Sequence, residues 1–177
     1  MQVPTRTAGA GLSTAPWRKP WWMVSAVITV VALLYFYRIG SFPLTDGDSA
    51  LYGYVAKDMA RTRDWLFLSW RGGPLLDKPP LSLWAMAAGY LVWGYNEFAA
   101  RAWQSALAVA TVAVTYAAAR LWLSERGALL AAVIMATSAQ FFYLHLVPQQ
   151  DIPLTFFTTL ALYLAILARE RSRPAYL

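Results

Sequence analysis

Apolar residues in this chain come in long charge-free blocks, not in the alternating pattern of a half-buried sheet. Residues 21–37, 102–119, 127–144 and 152–168 hold no Asp, Glu, Lys or Arg. Each block approaches the roughly 20 residues a helix needs to cross a bilayer. The pattern predicts an all-α integral membrane protein with about four transmembrane helices, over 21–38, 102–120, 127–145 and 152–168. The first block is longer than the 7–15 apolar residues usual in a signal peptide, and it ends in Tyr35-Phe36-Tyr37-Arg38 without a small-residue cleavage site. It is therefore expected to stay in place as a span.

A shorter charge-free stretch, 81–95, contains Gly89 and Gly94. Its length suits an interfacial or re-entrant helix better than a crossing. Residues 48–63 read as an amphipathic helix, with Leu51, Val55 and Met59 four apart on one face and Lys57, Asp58 and Arg61 toward water. Such a helix can lie along a membrane surface. Residues 39–101 are thus expected to form a large first outer loop with juxtamembrane helices. Residues 1–20 are rich in Gly, Ala, Thr and Pro and are predicted to be a disordered cytoplasmic tail.

Charge fixes the sidedness. Cations favour the cytoplasmic side of short loops. If 81–95 does not cross, Arg18 and Lys19, Arg120 and Arg126, and Arg169, Arg171 and Arg173 all fall inside. Asp48, Lys78 and Asp151 then share the outer side. The net charge of +6 would point to nucleic acid in a soluble chain. Here the basic residues flank apolar blocks, so no nucleic-acid partner is expected. Composition agrees: 59% of residues are hydrophobic and 14% charged, against about 25% charged in an average soluble domain. Cysteine is absent, which removes disulfides and thiolate metal sites.

The polar chemistry is concentrated in that outer loop. It contains Asp48-Ser49-Ala50-Leu51-Tyr52, Lys57-Asp58-Met59, Asp64-Trp65, Gly73-Pro74, Asp77-Lys78-Pro79-Pro80-Leu81 and Arg101, and the sequence continues to Asp151-Ile152-Pro153-Leu154. This set resembles the N-terminal part of GT-C membrane glycosyltransferases, in the branch of protein O-mannosyltransferases and the lipid A aminoarabinose transferase. The resemblance spans about residues 20–170. It departs from the family at Ser49, where a second acidic residue is usual, and at Gln149-Gln150, where an Arg often precedes the Asp.

The resemblance implies a bacterial inner or plasma membrane enzyme acting on the outer face. Such an enzyme moves a sugar from a polyprenyl-phosphate carrier to a hydroxyl or phosphate of a lipid, protein or polysaccharide acceptor. It implies Asp48 as the base for the acceptor, with Asp46 a weaker candidate beside it. Asp151 would orient the acceptor, and the two carboxylates leave room for a divalent cation. Lys78 would neutralise the leaving phosphate, with Arg71 and Arg101 as further cations and Tyr52 lining the carrier's groove. Plainer readings compete. Asp48 and Asp151 also suit helix starts, Lys78 and Arg71 a solvated loop, Arg101 a snorkelling anchor, and Tyr52 an aromatic belt. A transporter of lipid-linked sugar or a non-catalytic membrane subunit are the alternative functions. Nearly charge-free spans count against a transporter.

Overall fold

The computed structural model describes residues 21–45, 47–75 and 77–172. The tail expected over residues 1–20 and the candidate Asp46 lie outside them. The chain begins with helices α1 (Trp21–Phe36) and α2 (Gly47–Thr62). A short antiparallel hairpin follows, β1 (Ser69–Trp70) against β2 (Gly73–Pro74). Helices α3 (Pro80–Trp93), α4 (Glu97–Ala119), α5 (Glu125–Thr137), α6 (Ala139–Leu144) and α7 (Asp151–Ser172) complete it. The expected helical architecture is present, with a hairpin added in the loop between α2 and α3.

Local chemistry sets these boundaries. Arg71 (φ 52°) and Gly72 (φ 82°) are both left-handed, as a two-residue type I′ hairpin turn requires. Pro79 is extended and Pro80 opens α3, a position where proline's fixed φ and missing N–H cost nothing. Asn96 Oδ1 accepts from Ala99 N at 2.8 Å to cap α4.

Helix α4 is central and packs against α1, α3, α5 and α7, while α2 lies on α3. Two apolar clusters result. One joins α2, α3 and the start of α4 through Tyr52, Val55, Met59, Leu83 and Met86. The other joins α1, α4, α5, α6 and α7 through Val31, Tyr35, Val112, Phe141 and Ile152. At Gly89 the backbones of α3 and α4 nearly touch: a Cβ there would lie 2.6 Å from the Ala99 carbonyl oxygen. Backbone cannot swing aside as a side chain can. Gly89→Ala should therefore cost about 1–3 kcal/mol by overpacking, read as a lower Tm in detergent. An unchanged Tm would mean that α3 moves off α4 freely.

Helices α4 and α7 are long and apolar enough to cross a bilayer, over Glu97–Ala119 and Asp151–Arg169. Only 11% of the α7 apolar window is buried, unlike a core helix of a soluble protein. Leu33, Ile134 and Leu154 also project outward from α1, α5 and α7. Apolar surface on this scale suits lipid or further protein, not water. Helix α1 has 16 residues and α3 has 14, both shorter than a full span.

The stretch expected as a span over 127–145 is not one continuous helix. The chain turns extended at Ser138 (φ −58°, ψ 122°), which separates α5 from α6. The break is supported from outside, since Tyr35 Oη donates to the Ala136 carbonyl at 2.8 Å. Broken backbone at membrane depth persists only where such partners take up the freed groups.

Candidate active site

Two acidic helix starts meet across one tyrosine. Asp48 lies in the first turn of α2 and Asp151 in the first turn of α7. Helix starts favour carboxylates, because their N–H groups are unpaired and the macrodipole is positive there. Neither carboxylate makes a capping hydrogen bond among the described residues, so the simple cap reading is not what the geometry shows. Tyr52, one turn beyond Asp48, is buried, and its hydroxyl donates to Gln150 Oε1, directly before Asp151.

The electrostatics of that hydroxyl show what surrounds it. Burial, and then the negative charges of Asp48, Asp151 and Asp77, push the Tyr52 pKa up to about 12. Three carboxylates far apart in sequence thus act on one neutral donor. A phenol whose folded pKa lies above its unfolded value of 10 stabilises the fold fully below pH 10, and this contribution is lost as pH rises toward 12. The stability difference between wild type and Tyr52→Phe should accordingly shrink between pH 10 and 12, as measured by denaturant titration at each pH. A constant difference across that window would mean that the hydroxyl is neither buried nor faced by negative charge.

Lys78 brings a cation to the same neighbourhood. Its Nζ lies 3.7 Å from Asp77 Oδ2, and its side chain is 21% exposed against 70% for Asp77. A pair with so open a partner is weak, which leaves the ammonium available to an anion. Lys78 lines a cleft of about 510 Å³ between the hairpin and α3, with Leu66, Phe67, Leu75 and Trp84. Pro79 and Pro80 follow directly and restrict its backbone.

The other expected residues are placed differently. Arg71 is exposed at the hairpin tip, 5.3 Å over the Trp70 ring. Arg101 departs from the expected phosphate contact and from the snorkelling alternative: its guanidinium is buried within the protein. Its Nε donates to the Leu146 carbonyl (2.7 Å), Nη1 to those of Ile39 (2.9 Å) and Phe42 (2.6 Å), and Nη2 to that of Pro43 (3.2 Å). Ser49 is buried, with its hydroxyl unpartnered among the described residues.

Residue-type reasoning passed over Gln150, Asp77 and Gln104. The signal for Asp77 was present in the Asp-Lys-Pro-Pro block. For Gln104 it was a lone amide in an apolar helix. Gln150 stood out in the sequence only as part of the Gln149-Gln150 departure from the family pattern, and its contact with Tyr52 is what gives it a place in the site. Among the described residues no three His, Cys, Asp or Glu side chains are grouped to hold a metal ion.

The model of the dolichyl-phosphate-mannose-protein mannosyltransferase family matches residues 77–177. The chain belongs to that family. Asp77, Lys78, Gln150 and Asp151 lie inside the matched range, whereas Asp48 and Tyr52 precede it. A protein of Aquifex aeolicus (strain VF5) is 34% identical over 139 residues, covering 78% of this chain and 28% of the relative. The undecaprenyl phosphate-alpha-4-amino-4-deoxy-L-arabinose arabinosyl transferase of Pectobacterium atrosepticum is 27% identical over 140 residues, covering 78% of this chain and 25% of the relative. The fold is similar to the crystal structure of ArnT from Cupriavidus metallidurans bound to undecaprenyl phosphate. There the TM-score is 0.74 at 20% identity, over 82% of this chain and 27% of that one. The chain thus spans about a quarter of the length of these relatives. Family, fold and outward apolar faces agree on an integral membrane chain.

Proposed function

We propose that the full-length protein is an integral-membrane glycosyltransferase. It takes a sugar from a polyprenyl-phosphate carrier and passes it to an acceptor hydroxyl or phosphate on the outer face of the membrane. The N-terminus is cytoplasmic, and α3 lies at the interface without crossing. The observation that carries this reading is that Asp48, Asp151 and Asp77 all act on the buried Tyr52 hydroxyl, with Lys78 paired to the last of them.

The chemistry follows from that arrangement. Asp48 takes the proton from the acceptor O–H, and the acceptor oxygen attacks the anomeric carbon of the sugar. The bond from that carbon to the carrier's phosphate oxygen breaks, and its electron pair leaves with the phosphate. Lys78 faces the negative charge that grows there. Asp151 orients the acceptor. Tyr52 stays protonated at neutral pH and holds the Gln150–Asp151 segment against α2. The apolar wall of the Lys78 cleft suits the first units of a polyprenyl chain.

The test is transfer from a panel of polyprenyl-phosphate sugars, using membranes that carry the full-length protein. Transfer from one donor supports the reading and names the sugar. Carrier lipid moved across the bilayer without any sugar transfer would favour a transporter. Neither activity, in a protein that still inserts, would favour a non-catalytic subunit.

A further inference from the structure

Near its outer end helix α4 buries Arg101 and Gln104, one turn apart, with the small Ser105 beside them. Buried polar groups in a membrane helix are costly and tend to serve function. The partners of these two are unusual in where they lie. Arg101 holds the carbonyls of Ile39, Phe42 and Pro43, all in the connection from α1 to α2. Its remaining named bond goes to the Leu146 carbonyl, in the connection from α6 to α7. Gln104 works on that second connection alone. Its Nε2 donates to the carbonyls of Leu144 (2.5 Å) and Val147, and its Oε1 accepts from Gln149 N at 3.1 Å.

The first connection leads into Asp48 and the second into Gln150 and Asp151. The backbone bonding of both is local. Among the described residues the first has Tyr37 N to Leu34 O and Ser41 N to Arg38 O, and the second a run of turn contacts from His145 N to Gln149 N; none of these bonds joins one connection to the other or to α4. We infer that Arg101 and Gln104 are positioning residues that set the spacing of Asp48 and Asp151. This inference rests on the glycosyltransferase reading above. One rigid helix holds both connections from beneath, and the Tyr52–Gln150 bond ties their far ends. Supporting contacts of this kind hold a reacting constellation within a fraction of an ångström. A planar guanidinium can grip carbonyls of two segments at once, which a single ammonium matches poorly.

The experiment uses the full-length protein in lipid nanodiscs. This stretch of chain has no cysteine, so Thr45→Cys and Tyr143→Cys place spin labels on exposed positions beside the two connections. Any cysteine elsewhere is replaced. Label-to-label distances and sugar transfer are measured for wild type, Gln104→Leu and the milder Arg101→Lys. Gln104→Leu should widen the distance distribution and lower kcat about 10–100-fold, with the KM for lipid donor within about twofold, since misplacement by an ångström acts mainly on reaction geometry. Arg101→Lys should show the same split with a smaller fall. It decides the matter if Gln104→Leu fails to insert. An unchanged distribution overturns the inference, and so does a widened one with wild-type kcat. If wild type transfers no sugar, the glycosyltransferase reading falls, while the distances still decide whether the pair sets the spacing.

Discussion

Asp48→Asn in the full-length protein is expected to lower kcat for sugar transfer by about 10²–10⁴-fold, the range general-base catalysis supplies. Insertion and the KM for the lipid donor should stay near wild type. The reasoning is geometric. Asp48 is exposed in the first turn of α2, above the buried Tyr52 that anchors the helix. Asparagine has the same shape and is tolerated at helix starts, so the fold loses little. What it lacks is a basic oxygen able to take the acceptor's proton. Membranes with equal amounts of inserted protein, assayed at saturating donor, give the comparison. Equal rates would reduce Asp48 to a helix-start residue and move the base elsewhere, with Asp151 the next candidate.

Lys78→Ala is expected to reduce kcat by about 10²–10³-fold, as loss of one fixed charge-stabilising group does, and to raise the donor KM as well. The carrier phosphate carries one negative charge while the sugar is attached and gains a second as the sugar leaves. Attraction to Lys78 therefore grows toward the transition state, and only that growing part accelerates the reaction. The structure adds two reasons to prefer Lys78 over the other cations: among the described residues its ammonium pairs with one open carboxylate at 3.7 Å, and it lines a cleft with an apolar wall. Arg71 sits over Trp70 at the hairpin tip. Lys78→Arg should recover part of the rate, because the charge returns with a different shape. A fall in KM-related binding alone, with kcat intact, would make Lys78 a docking residue without a role in departure of the phosphate.

These two predictions rest on residues legible in the sequence, and their failure or success is informative for that reason. Asp48, Lys78 and Asp151 stood out as charges amid apolar blocks, and the helix from 48 was visible in the spacing of Leu51, Val55 and Met59. Val55 and Met59 are indeed buried on α2. Arg101 was equally visible as a charge at the edge of an apolar block, and there the same logic misled. A lone cation at a span end looks identical in sequence whether it faces phosphate, lipid headgroups or backbone carbonyls. The block 127–144 misled in another way. Its composition has nothing to stop a helix, and Ser138 becomes a break only where Tyr35 arrives from α1 to take the Ala136 carbonyl.

By itself the sequence determined the helical, membrane-embedded character of the chain, the proline-stiffened approach to α3 and the concentration of charge between the first two long apolar blocks. Those properties depend on length, hydropathy and short-range backbone preference, which are written along one dimension. Only the tertiary structure decided which polar groups share a site. Tyr52 and Gln150 are 98 positions apart, and the connections held by Arg101 and Gln104 flank opposite ends of the fold in sequence. Their meeting depends on α4 packing against α1 and α7 together. Hydrogen bonds reach only about 3 Å, so which groups pair is settled by that packing and by no local pattern.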